Sequence, residues 1–158
     1  MIQLTFTSDL PVDRSRLWQA VTAMDGINDE MRHWLSMGAP PGVRDLQAVA
    51  LTPGKPLFRS PLKLFGLLPV GHSELTLLSL TPQEGFVEAS PMTGMRSWRH
   101  HRRLADSDTG VRCRTFWNLN RGCSRVPRAR WWHFSFATVT AACVVVIAES
   151  LWISNRKT

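Results

Sequence analysis

Three turn strings decide most of what this chain can become. "TPQEG" (81–85), "PMTG" (91–94) and "ADSDTG" (105–110) separate the short segments "HSELTLLSL", "FVEAS" and "MRSWRHHRRL". Glycine, proline and aspartate favour tight reversals, and these spacings leave no room for a crossover helix. The segments are therefore expected to be consecutive antiparallel hairpins of one meander.

Upstream, "IQLTFTS" (2–8) alternates Ile2, Leu4 and Phe6 with polar residues, as a half-buried strand does. Asp13 can cap a helix whose Leu17, Trp18 and Val21 share one face. In "INDEMRHWLSM", Ile27, Met31, Trp34 and Leu35 fall at helical spacing and predict a second short helix. "GAPPG" (38–42) ends it, because prolines and glycines do not continue a helix. "VRDLQAVAL" (43–51) reads as a strand, "TPGKP" (52–56) as a turn and "LFRS" (57–60) as a short strand. "LKLFGLLPV" (62–70), broken by Gly66 and Pro69, reads as a loop or bent segment covering something apolar. Strand, two helices, then meander is an α+β order rather than βαβ. A length of 158 residues suits one domain with one core. Two helices of about three turns each cannot cover the apolar face of six or seven strands. A further long element is needed, and only the C-terminal segment can supply it.

Several strings, taken in order, resemble a known family: "LPVDRSRLWQAVT", "GINDEMRHWLSM", "GKPLFRSPLKLFGLLPVGHSELTLLSLTP", and "MRSWRHHRRL" followed by an acidic-Gly turn. They look like the START-like, or SRPBCC (polyketide cyclase/dehydrase-like), ligand-binding family over residues 2–112. The resemblance implies a helix-grip fold, in which a curved antiparallel sheet wraps a long C-terminal helix and two short helices after strand 1 close one end. It also implies a cavity between sheet and C-terminal helix for an apolar or amphipathic, lipid- or polyketide-like molecule. Some members are cyclases or dehydrases; many are carriers. The START-like domain is expected at 1–112, with 113–158 an atypical segment in the place of the part that would complete it.

That last third differs in kind. Residues 1–108 hold 11 Lys+Arg and 11 Asp+Glu, whereas residues 109–158 hold 8 basic residues and one acid, Glu149, so the net charge of +7 arises there. Cys113, Cys123 and Cys143 lie there too, with four of the seven tryptophans and only Pro127 of the ten prolines. The cysteines fit no metal spacing and read as unpaired thiols of a reducing compartment. A chain that opens directly on a strand, with no leader-like charged and apolar regions, is expected to be cytoplasmic.

Three readings compete for the tail. Residues 131–153 could anchor in a membrane behind the basic "RVPRAR", although His133 and Glu149 would then sit at depth. They could form a divergent gripping helix, against which stand the β-branched runs at 138–140 and 144–147 and the lack of a polar stripe. Or the reading frame changes near Val111. Starting each new codon on the third base of the old one turns Trp131-Trp132-His133 into a string containing Val-Ala. The same shift turns Phe116-Trp117-Asn118 into one containing Leu-Glu. Those strings resemble the family's last strand and helix, and the shift also accounts for the jumps in charge, Cys and Trp.

No Walker loop, GxGxxG, HExxH, CxxC or GxSxG string is present. His100 and His101 cannot share a metal ion, because adjacent side chains on a strand point to opposite faces. No cofactor is expected. The basic run 96–103 sits in a neutral region with Trp98 as its one aromatic, which argues against nucleic acid. Alternation puts Arg96, Trp98, His100, Arg102 and Leu104 on one face and Met95, Ser97, Arg99, His101 and Arg103 on the other. Trp98 and Leu104 mark the first as the inner face. Trp98, His100 and Arg102 are therefore the expected ligand-binding residues on the sheet, with Leu17, Trp18, Phe65, Leu67 and Leu68 closing the mouth of the cavity. If the protein is an enzyme, His100 is the expected acid/base, with Glu74, Glu88 or Arg102 as its partner.

Overall fold

The structure, a computed structural model, describes residues 2–31, 35–93 and 95–121. It is the expected α+β arrangement: an antiparallel seven-stranded sheet with two short helices after its first strand. In chain order the elements are β1 (Ile2–Leu10), α1 (Arg14–Thr22), α2 (Met24–Met31), β2 (Leu35–Met37), a 3-10 turn (Leu46–Ala48), β3 (Pro56–Leu64), β4 (Leu68–Thr81), β5 (Gly85–Ala89), β6 (Met95–Ser107) and β7 (Gly110–Arg121). The sheet order is β1-β7-β6-β5-β4-β3-β2. The chain thus meanders from β2 to β7, and β1 returns to pair with β7. Register shifts within β3/β4, β4/β5 and β6/β7 add local bend to strand twist, so the sheet curls around its inner face.

Four local expectations are corrected. The second helix starts at Met24, before the expected Ile27, and ends at Met31; Leu35 begins β2, which pairs with β3, while Trp34 lies outside the described residues. "VRDLQAVAL" is not a strand. Its Asp45 carboxylate accepts from the Gln47 backbone N–H at 2.8 Å, and Gln47 bridges Trp18 Nε1 (2.7 Å) and Thr22 Oγ1 (2.9 Å). The segment is thereby turned and tied to α1 instead of extended. "LKLFGLLPV" is no loop but a hairpin tip between β3 and β4. Phe65 and Gly66 both have positive φ (52° and 72°), the backbone of a type I′ turn. Finally, Asp13 occupies the N-cap position of α1 without a side-chain capping bond.

The expected departure near Val111 falls inside an ordinary strand. β7 pairs along its length with β1 on one side and β6 on the other. Val111, Cys113, Thr115, Trp117 and Leu119 are buried in strict alternation with more exposed neighbours. The anchor, the gripping helix and the family-like tail strings expected beyond Arg121 lie outside the described residues.

The inner face carries the core. Trp18 and Val21 of α1 pack on Leu77, Phe86, Leu104, Val111 and Cys113, while Met24 packs with Leu46, Phe58 and Leu75. The sharp α1–α2 junction depends on Gly26, where an added β-carbon would collide with the backbone carbonyl of Ala20. Backbone cannot yield as a side-chain tip can. Gly26→Ala is expected to lower unfolding free energy by about 2 kcal/mol, read from the urea midpoint at unchanged slope.

Candidate functional site

β6 presents its side chains as its sequence alternation requires. His100, Arg102 and Leu104 are buried and Trp98 is half-buried on the inner face, whereas Arg99 and Arg103 are exposed on the outer one. Met95 departs from this pattern. A register shift between Met95 and Ser97 lets it pack against the Trp117–Leu119 cluster. Nothing is described of the Arg96 side chain.

Between this inner face and α1, α2 and β2 lies a cavity of about 90 Å³. Its wall is apolar: Val21, Met24, Ile27 and Met31 from the helices, Leu62, Leu75, Leu77 and Phe86 from the sheet, and Trp98 and Trp117 at one side. Four polar side chains interrupt it, namely Glu30, Glu88, His100 and Arg102.

Register brings Glu88, His100 and Arg102 together on the sheet, and α2 supplies Glu30. His100 lies directly across from Glu88 on β5 and from Trp117 on β7. Its ring stacks on Trp117 (centroids 3.8 Å apart, planes at 4°) and meets the edge of Phe86 at 5.1 Å. Its Nδ1 faces Glu88 Oε2 at 3.5 Å. Glu88 Oε1 accepts from Ser90 Oγ at 2.5 Å, and Ser90 Oγ accepts from the Thr76 backbone N–H at 3.1 Å. A chain of donors thus fixes the carboxylate, which in turn orients the imidazole. Nε2 of His100 is buried and has no hydrogen-bond partner among the described residues.

Arg102, 2% exposed, donates both terminal nitrogens to Glu30 of α2, at 2.7 and 2.9 Å, and its guanidinium lies 5.9 Å from the Phe86 ring centre. Burial opposes its charge, but the Glu30 carboxylate more than offsets that and raises its pKa. Its Nε is buried without a partner among the described residues. The pair fastens α2 across the concave face.

Burial lowers the pKa of His100, with the Arg102 charge acting in the same direction and the Glu88 hydrogen bond opposing. The imidazole is therefore neutral at pH 7, and its contact with Glu88 is a polar contact rather than an ion pair. The folded protein binds this proton less readily than the unfolded chain does. The His100 contribution to stability is then complete above about pH 6.5. It falls as pH drops below that value, by at most about 1.4 kcal/mol per pH unit. His100→Phe should flatten this part of a stability-versus-pH curve between pH 6.5 and 5, measured by urea unfolding.

Of the residues expected from the sequence, Trp98, His100 and Arg102 meet in the cavity. Trp18 and Leu17 do not line it. Trp18 is a core residue under α1 with Leu17 packed beside it, because the face that carries them turns toward Leu77 and Leu104. Phe65, Leu67 and Leu68 do not close its mouth either: the type I′ turn projects them outward, at 55%, 81% and 58% exposure. Glu74 is exposed, whereas Glu88 is the carboxylate that reaches His100. Sequence reading missed Glu30 and Ser90. Glu30 follows Met24 and Ile27 on α2, and its inward turn becomes visible only once Arg102 is seen to need a counter-ion.

Among the described residues, no group of three or more His, Cys, Asp or Glu is placed to hold a metal ion. None of their helices is long and apolar enough to cross a membrane.

The family model for a domain of unknown function, DUF8410, matches residues 8–142. No curated protein matches the sequence. Solved structures share the fold at low identity. Protein CV1439 from Chromobacterium violaceum is 10% identical with a TM-score of 0.60, covering 93% of this chain and 95% of its own. Ara h 8.0201 is 10% identical with a TM-score of 0.54, over 96% and 97% of the two chains. DynU16, from the dynemicin biosynthetic locus, is 12% identical with a TM-score of 0.54, covering 97% of this chain and 48% of its own. At 10–12% identity these neighbours share the fold with this chain and nothing finer.

Proposed function

This chain belongs to the DUF8410 family, the domain of unknown function matched over most of its length, and we propose that it binds an apolar or amphipathic small molecule between its sheet and its helices. One observation carries this reading: a cavity walled by Met, Leu, Phe and Trp side chains and interrupted by a few polar groups. Ligand sites combine these two features, apolar surface for affinity and a few polar groups for orientation. The sequence resemblance to the SRPBCC family, together with the fold shared with CV1439 and DynU16, supports it. A lipid- or polyketide-like molecule fits such a wall. Titration with the uncharged fluorophore N-phenyl-1-naphthylamine should give a saturable one-to-one rise in emission; a linear, unsaturable rise would contradict the proposal.

A second reading, a cyclase- or dehydrase-like enzyme with His100 as acid/base, is favoured by one observation. Glu88 holds the imidazole by Nδ1 and leaves Nε2 unengaged, the arrangement of an oriented base. Under this reading His100→Ala abolishes turnover and leaves fluorophore binding nearly intact.

A further inference from the structure

His100 and Arg102 line the cavity, and among the described residues each keeps one buried polar atom without a partner: Nε2 of His100 and Nε of Arg102. Leaving such atoms unpaired is costly, so a ligand that satisfies one gains on an isostere that does not. The two atoms ask for opposite chemistry. Arg102 Nε is always a donor. His100 is governed by Glu88. With the carboxylate against Nδ1, the hydrogen of the neutral ring sits on Nδ1 and the Nε2 lone pair is left as an acceptor.

We infer that the cavity selects a neutral ligand carrying a hydroxyl, which donates to His100 Nε2, rather than a carboxylate or a plain hydrocarbon. This rests on the binding reading above and names the class of ligand. The charges around the cavity favour neutrality: two carboxylates, Glu30 and Glu88, stand against one guanidinium, and both terminal nitrogens of that guanidinium are already engaged by Glu30. A ligand anion would meet more negative than positive charge in a desolvated site, a costly placement. Stacking of the imidazole on Trp117 and the edge of Phe86 fixes the ring plane, so the acceptor direction is preset. An O–H group on a flat apolar body suits that direction. Glu88 acts here as a positioning residue, since it sets which ring nitrogen carries the hydrogen.

Four probes of one shape test this by NMR titration of the full chain: p-cresol, 4-methylanisole, p-xylene and p-toluate. p-Cresol is expected to bind roughly 3- to 10-fold more tightly than p-xylene, the gain from one neutral hydrogen bond. 4-Methylanisole, which keeps the oxygen but has no hydrogen to donate, should fall near p-xylene, and p-toluate should bind most weakly. Nitrogen-15 shifts of His100 should report the Nδ1–H tautomer in the wild-type protein. In Glu88→Gln the amide can donate to Nδ1, which reverses the tautomer and removes the preference for p-cresol over 4-methylanisole. Equal affinities for p-cresol and p-xylene, or 4-methylanisole matching p-cresol, would overturn the hydroxyl inference while leaving the cavity as a binding site. Failure of all four to bind would overturn both. The wild-type series stands even if Glu88→Gln does not fold.

Discussion

Glu30→Leu is expected to cost about 3–5 kcal/mol of folding stability, the usual penalty for stranding a buried charge. Arg102 would be left with both terminal nitrogens unpaired in addition to its Nε, 2% exposed among Phe86, Leu104 and Cys113. The lower end of that range is the better figure, because Glu30 keeps 19% of its side-chain surface exposed and water already screens part of the pair. The double variant Glu30→Leu/Arg102→Leu removes both charges and should recover most of the loss, since an apolar pair can replace a buried ion pair at little cost. Urea unfolding of the two single variants and the double one measures this as a cycle. Additive losses would mean that the two side chains do not act as a pair. Because the pair pins α2 over the cavity, Glu30→Leu should also raise amide exchange in Met24–Met31 more than in β6.

Trp98→Ala is expected to weaken fluorophore binding roughly 30-fold. The indole lines the cavity and leans on Trp117 at 4.6 Å between ring centres. Removing about 80 Å² of ligand contact at about 25 cal/mol per Å² comes to about 2 kcal/mol. If the protein is a carrier, His100→Ala should cost less, about 1 kcal/mol, since it removes one hydrogen bond and little apolar area. Arg99→Ala is the control. Arg99 is the next residue along β6 but exposed on the outer face, so its removal should change binding less than about twofold. Equal losses from Trp98→Ala and Arg99→Ala would place the binding surface on the wrong side of the sheet.

The sheet half of this site is legible in the sequence because strands have a period of two. Once Trp98 and Leu104 mark the inner face of β6, His100 and Arg102 must share it, and they do. The same rule was available for "VRCRTFWNLN", where Val111, Cys113, Thr115, Trp117 and Leu119 alternate with Arg, Phe and Asn. That alternation alone predicts the strand, and with it the inward side of Trp117, the ring on which His100 stacks. The helix half is less legible. Leu17, Trp18 and Val21 define an apolar face, but periodicity says only that a face is buried, not against what. Here Trp18 fills the core while Val21 and Met24 reach the cavity. Phe65, Leu67 and Leu68 mislead for another reason. Apolar composition suggests cover, whereas positive φ at two consecutive residues makes a tight turn that points outward. Glu30 is illegible from α2 alone, since its role exists only through a partner 72 residues away.

Four of the six methionines, Met24, Met31, Met37 and Met92, line the cavity, so their methyl groups report directly on whether it takes a ligand. Carbon-13 methyl spectra of methionine-labelled protein, recorded with increasing N-phenyl-1-naphthylamine, are the most direct test. A ligand in the cavity gives saturable shifts at these four methyls, with the same midpoint as the fluorescence titration and a midpoint roughly 30-fold higher in Trp98→Ala. Saturable fluorescence with these methyls unmoved, and with shifts instead at the exposed Phe65–Leu68 hairpin tip, would contradict it.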